Sequence, residues 1–293
     1  MKLKVVFLGI VMFFVATSCN NKKEYYDNGN ISKKYELING KIDGVYKEYY
    51  LNENLKKVSY YSNGVLKDSL VNYYDNEQNS ISSIEYFVDT YQIKKVFYKE
   101  DGFKDKEGHI FKNKIRVGNW YFYRNNKVIS QKLEYLNIAG VEYVNQGWYY
   151  DKQGKELENS GNYIKIETKN DTVKINEPLI FLISLVKPYF SYDSDVYVCL
   201  PKNKLSDLKQ DFSNLNQIPL DTFISVKDEK IVKDSHKYNR QVSFGLTFVK
   251  EKEIVVRGFL TERYPNNGNF GVDKKYEILE RKIYFEKKIY VKK

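Results

Sequence analysis

The chain has 293 residues and a formal net charge of +10, with 28 tyrosines but only two cysteines and two histidines. Two cysteines exclude a small disulfide-built scaffold, and so few histidines leave little material for a zinc-type centre. The positive charge is spread at about +3 over residues 19–165 and about +5 over 166–293. Stretches such as "EKEIVVRGFLTER" alternate acid with base, which excludes the concentrated basic stripe of a nucleic-acid binder.

The first residues set the compartment. Lys2 and Lys4 precede an apolar run from Val5 to Val15, and small residues Ala16, Thr17 and Ser18 lead to Cys19. This is the pattern of a secretory signal over residues 1–18. Eleven apolar residues fall short of the ~20 needed to span a bilayer, so an uncleaved anchor is the weaker reading, as is ordinary signal-peptidase cleavage. The Ala16-Thr17-Ser18-Cys19 segment resembles a bacterial lipobox, although the motif prefers Leu where Ala16 stands. The resemblance implies that Cys19 carries palmitate-type acyl chains and becomes the first mature residue, with 19–24 as a polar tether. Several chains would make attachment to a membrane stable. The absence of Asp at position 20 resembles lipoproteins of the outer membrane, whose periplasmic or surface face is left open.

A repeat follows. Tyr25-Tyr26, Tyr49-Tyr50, Tyr73-Tyr74 and Phe97-Tyr98 stand 24 residues apart, and Asn39-Gly40 recurs as Asn63-Gly64 at the same interval. Ile31, Lys33, Tyr35 and Leu37 alternate with Ser32, Lys34 and Glu36, the period of a half-exposed strand. Each unit therefore reads as strand, turn, strand, with turn glycines at Gly29, Gly40, Gly64 and Gly154. A lone hairpin is marginal in water, so the units must stack, with tyrosines as cross-strand pairs. The runs Gly44-Val45-Tyr46-Lys47-Glu48-Tyr49-Tyr50, Gly118 to Tyr123 and Gly147 to Gly154 resemble the bacterial variant of the MORN repeat, a hairpin module that includes proteins labelled antitoxin-like. That resemblance implies repeats over 25–160, a looped insertion near 103–115, no catalytic residues in the repeats, and contact with protein or lipid. Asn52-Glu53-Asn54 and Asp75-Asn76-Glu77 lack the turn glycine, which predicts a degenerate array.

Beyond Gly161 the beat stops. Strands are predicted at 172–175, 179–186, 196–200, 223–226, 242–249, 254–260, 276–279 and 283–291, with one helix over Lys204–Leu215 from Leu205, Leu208 and Phe212. Such a series of short strands suggests a two-sheet sandwich over 161–293. Its "NEPLIF" opening and "KIYFEKKIYV" close resemble immunoglobulin-like domains. The fold class expected is all-β, a hairpin-repeat sheet followed by a sandwich.

Candidate chemistry is sparse. Cys199 in "DVYVCLP" reads as a buried thiol, His109 and His236 are far apart, and Asp43, Asp193 and Asp195 read as turn or loop residues, with weak Ca²⁺ potential for the last two. No nucleophile elbow, zincin motif or phosphate-binding loop occurs. The "NNGNFG" loop supplies a candidate contact site at Asn266, Asn267 and Phe270. The expected protein has no cofactor and no metal. It is a non-enzymatic cell-envelope lipoprotein bound to the membrane through Cys19 and contacting a protein or glycan. The alternatives are a polysaccharide-active enzyme accessory or hydrolase with a dispersed site, and an antitoxin-like repeat protein.

Overall fold

The computed structural model describes residues 19–112, 114–125, 127–158, 160–202, 205, 207–225, 240–266 and 277–293. They are almost entirely strand. Two compact units emerge, one running to Phe87 with Tyr98–Gly102, the other comprising Val88–Phe97 and Phe103–Lys293. The division does not follow the change of sequence texture at residue 161, because the last hairpins pack with the C-terminal sheets.

In the first unit, β1 (Cys19–Tyr25), β2 (Ile31–Ile38), β4 (Gly44–Tyr49), β5 (Leu55–Ser62), β6 (Val65–Tyr73) and β7 (Ile81–Phe87) pair antiparallel in chain order, with the two-residue β3 (Lys41–Ile42) against β2. The segment read as a tether is thus β1, paired from Cys19 opposite Ile38 to Lys23 opposite Lys34. Its register is pinned by Lys33, whose Nζ lies 2.6 Å from Glu24. The pair repeats one unit on as Lys57 and Glu48 at 2.9 Å. The same face carries the Tyr35, Tyr46 and Tyr61 rings in a row, with centroids 5.6 and 5.8 Å apart. Among the described residues of this unit only Ser59 and Ser83 are buried. The sheet is a single layer without an apolar interior.

The tyrosine doublets explain how such a layer holds together. At each hairpin end the second tyrosine reaches across to the next hairpin and donates its hydroxyl to a backbone carbonyl: Tyr26 to Tyr49 at 2.7 Å, Tyr50 to Tyr73 at 2.9 Å, Tyr74 to Tyr98 at 2.7 Å. Amides reinforce this edge, with Asn30 Nδ2 donating to the Leu51 carbonyl and Asn54 Nδ2 to Asp75, both at 2.9 Å. The turns beneath are equivalent even where the glycine is missing. Tyr26 N–H donates to the Asn30 carbonyl and Tyr50 N–H to that of Asn54. The left-handed position held by Gly29, at φ +89°, is held by Glu53 at +67°. The expected degeneracy is therefore one of residue type, since a left-handed Glu costs only about 1 kcal/mol or slightly more. At the opposite edge Asn39-Gly40 and Asn63-Gly64 have positive φ at both residues, 51° and 75°, 51° and 78°. These are the values of the hairpin turn that suits twisted strands. There the Gly64 N–H donates to the Ile42 carbonyl at 2.8 Å.

In the second unit β8 (Gln92–Tyr98), β9 (Lys104–Phe111), β10 (Ile115–Tyr123), β11 (Ile129–Ile138) and β12 (Val141–Tyr149) pair in the same up-and-down manner. The segment 103–115, expected as a looped insertion, is instead β9 and the start of β10. Its departure from the repeat has a packing cause. A Cβ on Gly108 would lie 2.4 Å from the Trp120 ring, so the glycine is the seat of that indole, which is 2% exposed and donates Nε1–H to the His109 carbonyl at 3.0 Å.

The C-terminal part forms two sheets around one core. β13 (Ile164–Thr168), β15 (Pro178–Leu185) and β18 (Gln241–Thr247) make one. β14 (Thr172–Lys174), β20 (Glu277–Lys292), β19 (Lys252–Asn266), β16 (Asp195–Pro201) and β17 (Leu220–Ile224) make the other, in that order. Phe181, Ile183, Val198, Leu260, Ile283 and Ile289 interdigitate between them, fully or nearly fully buried. β13 was not expected, and the strands expected at 276–279 and 283–291 are the single β20, held in an unbroken ladder against β19. Of the expected helix at Lys204–Leu215, residues 204 and 206 lie outside those described. The rest is turns and a 3₁₀ turn at Leu215–Gln217. Leu208 and Phe212 are buried as the apolar spacing required. Short side chains bind the backbone in place of helical bonds: Asn214 Oδ1 accepts from Lys209 N–H at 2.9 Å and Asp211 Oδ1 from Ser213 N–H at 3.1 Å, with Phe212 at φ +54°.

Two outcomes are expected. Tyr50→Phe and Tyr74→Phe should each lower the stability of the first unit by about 1 kcal/mol, additively in the double variant, by urea unfolding followed through tyrosine signals. Gly108→Ala should cost about 1–3 kcal/mol through overpacking against Trp120, visible as a lower melting temperature and an altered indole fluorescence.

Candidate functional site

The sequence-derived site residues do not converge. Cys19 begins β1, and Gly29, Gly40, Gly64 and Gly154 (φ +83°) sit singly in hairpin turns. Asn266 ends β19 opposite Glu277, whereas Asn267 and Phe270 lie outside the described residues, as does His236. Cys199 is buried, its Sγ 3.6 Å from Thr222 Oγ1, and burial pushes the thiol above its ordinary pKa. Asp43 serves a turn, its Oδ2 accepting from Asn63 N–H at 2.7 Å. Among the described residues no group of three or more histidine, cysteine or acidic side chains could hold a metal ion.

What the structure does assemble is a recess of about 480 Å³ in the second unit. Glu134 and Tyr135 of β11, Asn145 of β12, Asp211, and Tyr284 and Glu286 of β20 contribute to its wall. It exists because β12 docks on β20 through polar groups. Asn145, 1% exposed, acts as a piece of strand turned sideways: its Oδ1 accepts from Tyr284 N–H at 2.8 Å and its Nδ2 donates to the Tyr284 carbonyl at 2.9 Å. The same Nδ2 lies 2.6 Å from Glu134 Oε2, which also accepts from Gln146 Nε2 at 2.8 Å. Tyr143 donates its hydroxyl to the Lys282 carbonyl at 2.7 Å. Arg281 donates to the Asn145 carbonyl at 2.8 Å and to the Asn162 side chain, and burial holds its pKa below the usual arginine value. Opposite it in register, the fully buried Glu262 accepts the Tyr189 and Phe190 N–H groups, both at 2.9 Å. These two ionisable groups are therefore occupied in holding backbone.

The Tyr284 side chain packs at 4.5 Å from Phe212 and 5.5 Å from Tyr143. Burial and the neighbouring Tyr143 push its pKa up to about 12, so it is a neutral hydroxyl at physiological pH. Beside the recess Arg116 lies 4.0 Å above the Tyr135 ring and grips Glu142, with Nη2 at 2.6 Å and the backbone N–H at 2.9 Å. This fork holds the Glu142 carboxyl below its ordinary value of 4.5. The set of groups offers hydrogen bonds and ring faces to a bound molecule. None of it was legible in the sequence.

No protein-family model matches the chain, and no curated protein matches it.

Asn145→Leu should be destabilising, at about 1–3 kcal/mol for each Tyr284 backbone group left buried and unpaired, measured by chemical unfolding. The Arg116–Glu142 fork gives a pH signature. Because the folded Glu142 pKa is depressed, its contribution is complete above the ordinary carboxylate range and is lost as pH falls through the folded value. Glu142→Gln should reduce the acid-side slope of stability against pH, and an unchanged slope would count against the fork.

Proposed function

We propose that this chain is a non-enzymatic lipoprotein of the cell envelope, held at the outer membrane through a lipid on Cys19, that presents a hairpin-repeat sheet and a two-sheet domain to a protein or glycan partner. The observation that carries this reading is the single-layer first unit. With only Ser59 and Ser83 buried among its described residues, both faces stay open, and large rings such as Tyr25, Tyr60 and Tyr86 are exposed. A layer with no interior has contact surface as its main product. The lipobox-like Ala16 to Cys19 and the charged n-region supply the attachment. The likeness of the repeats to the bacterial MORN variant, and of the C-terminal sheets to immunoglobulin-like sandwiches, agrees with a presenting role.

The test is fractionation of cells with metabolic palmitate labelling. Wild-type protein should label and partition into the detergent phase, whereas Cys19→Ala should not label and should shift to the soluble envelope fraction or accumulate as precursor. Equal labelling and retention of the variant would overturn the attachment.

A further inference from the structure

We propose that the recess between β11, β12 and β20 is a binding site for an uncharged saccharide; this deepens the glycan branch of the proposed function and rests on it. Its volume of about 480 Å³ falls within the ~300–1,000 Å³ of small-ligand pockets. No lysine or arginine lines it, which disfavours phosphorylated or sulfated ligands. A cation is also poorly served, because each of the three lining carboxylates already has a partner: Glu286 the Arg257 guanidinium, Glu134 two amides through Oε2, and Asp211 the Ser213 N–H through Oδ1. What remains is neutral hydrogen-bonding capacity beside apolar walls. Glu134 Oε1 has no hydrogen-bond partner among the described residues. The amides of Gln92 and Gln210 and the rings of Phe111 and Phe212 line the recess as well.

The decisive group is Tyr284. Its residue is 7% exposed and lines the recess, yet its hydroxyl makes no hydrogen bond among the described residues, although Tyr143 beside it finds the Lys282 carbonyl. Unlike the Ser59 and Thr261 hydroxyls, which are buried without a partner among the described residues, the Tyr284 hydroxyl is not closed off, so it can meet a ligand. A sugar hydroxyl pairs with it, while the C–H faces of the ring contact Phe111 and Phe212 and carboxylate and amide oxygens accept the remaining hydroxyls.

The experiment screens the full-length protein, purified in detergent, against an array of uncharged mono- to tetrasaccharides, followed by calorimetry on the hits. Spermidine and a sugar phosphate serve as charged probes. Saturable binding of an uncharged saccharide is expected, weakened about 3- to 10-fold by Tyr284→Phe, which removes one neutral hydrogen bond and keeps the ring. Gln210→Trp, at an exposed lining position, should fill the recess and abolish binding with the melting temperature unchanged. Three results would overturn the site: no uncharged saccharide binds, binding is indifferent to both variants, or a charged probe binds more tightly. Cys19→Ala should leave saccharide affinity intact, so loss of this site and loss of the membrane reading are separate results.

Discussion

The repeat sheet depends on one interaction, a tyrosine hydroxyl bonded to a carbonyl of the following hairpin. Strand ladders join neighbours, but among the described residues of the first unit no second sheet or helix keeps the hairpin ends from splaying. Three successive clasps, from Tyr26, Tyr50 and Tyr74, tie every second turn to the next, and the rings beneath them pack in rows. Phenylalanine could supply the rings but not the clasp. That is why the second position of the beat is written in tyrosine, whereas the acceptor is a backbone carbonyl that any residue could supply.

Much of this was legible in the chain. The interval of the doublets located the hairpins, and Asn39-Gly40 and Asn63-Gly64 located turns whose geometry only those residue types adopt at low cost. The purpose of the doublets was not legible, because a side-chain-to-backbone bond between hairpins leaves no mark in the alternation of a single strand. The turn at Glu53 was underrated for a related reason: Asn52 and Asn54 stabilise it with their own amides, so the glycine is dispensable. The segment around Gly108 was misread as an insertion since its missing side chain is meaningful only once Trp120 is placed on it. The helical spacing of Leu205, Leu208 and Phe212 reported burial correctly and backbone wrongly, as Asp211 and Asn214 capture the amide and carbonyl groups that a helix needs.

The recess lay beyond sequence reading because its wall is drawn from β11, β12, an irregular turn and β20, residues brought together by the bonds of Asn145, Tyr143 and Arg281 and by ring contacts of Tyr284. In the second unit polar side chains on inward strand positions serve two ends at once. Asn145 and Arg281 fasten β12 to β20 through backbone groups, and the imperfect closure beside them leaves a cavity lined by Tyr284, whose hydroxyl has no partner among the described residues. The C-terminal core, by contrast, is ordinary apolar packing between two sheets.

A layer open on both faces also has an unusual thermal character. Heat capacity on unfolding tracks newly wetted apolar area, and the first unit, whose strand side chains are mostly half-buried and hardly any fully buried, has less left to wet per residue. Its free energy should vary only gently with temperature, so cold weakens it little, while the thick C-terminal layers keep the strongly curved dependence of a conventional globular core.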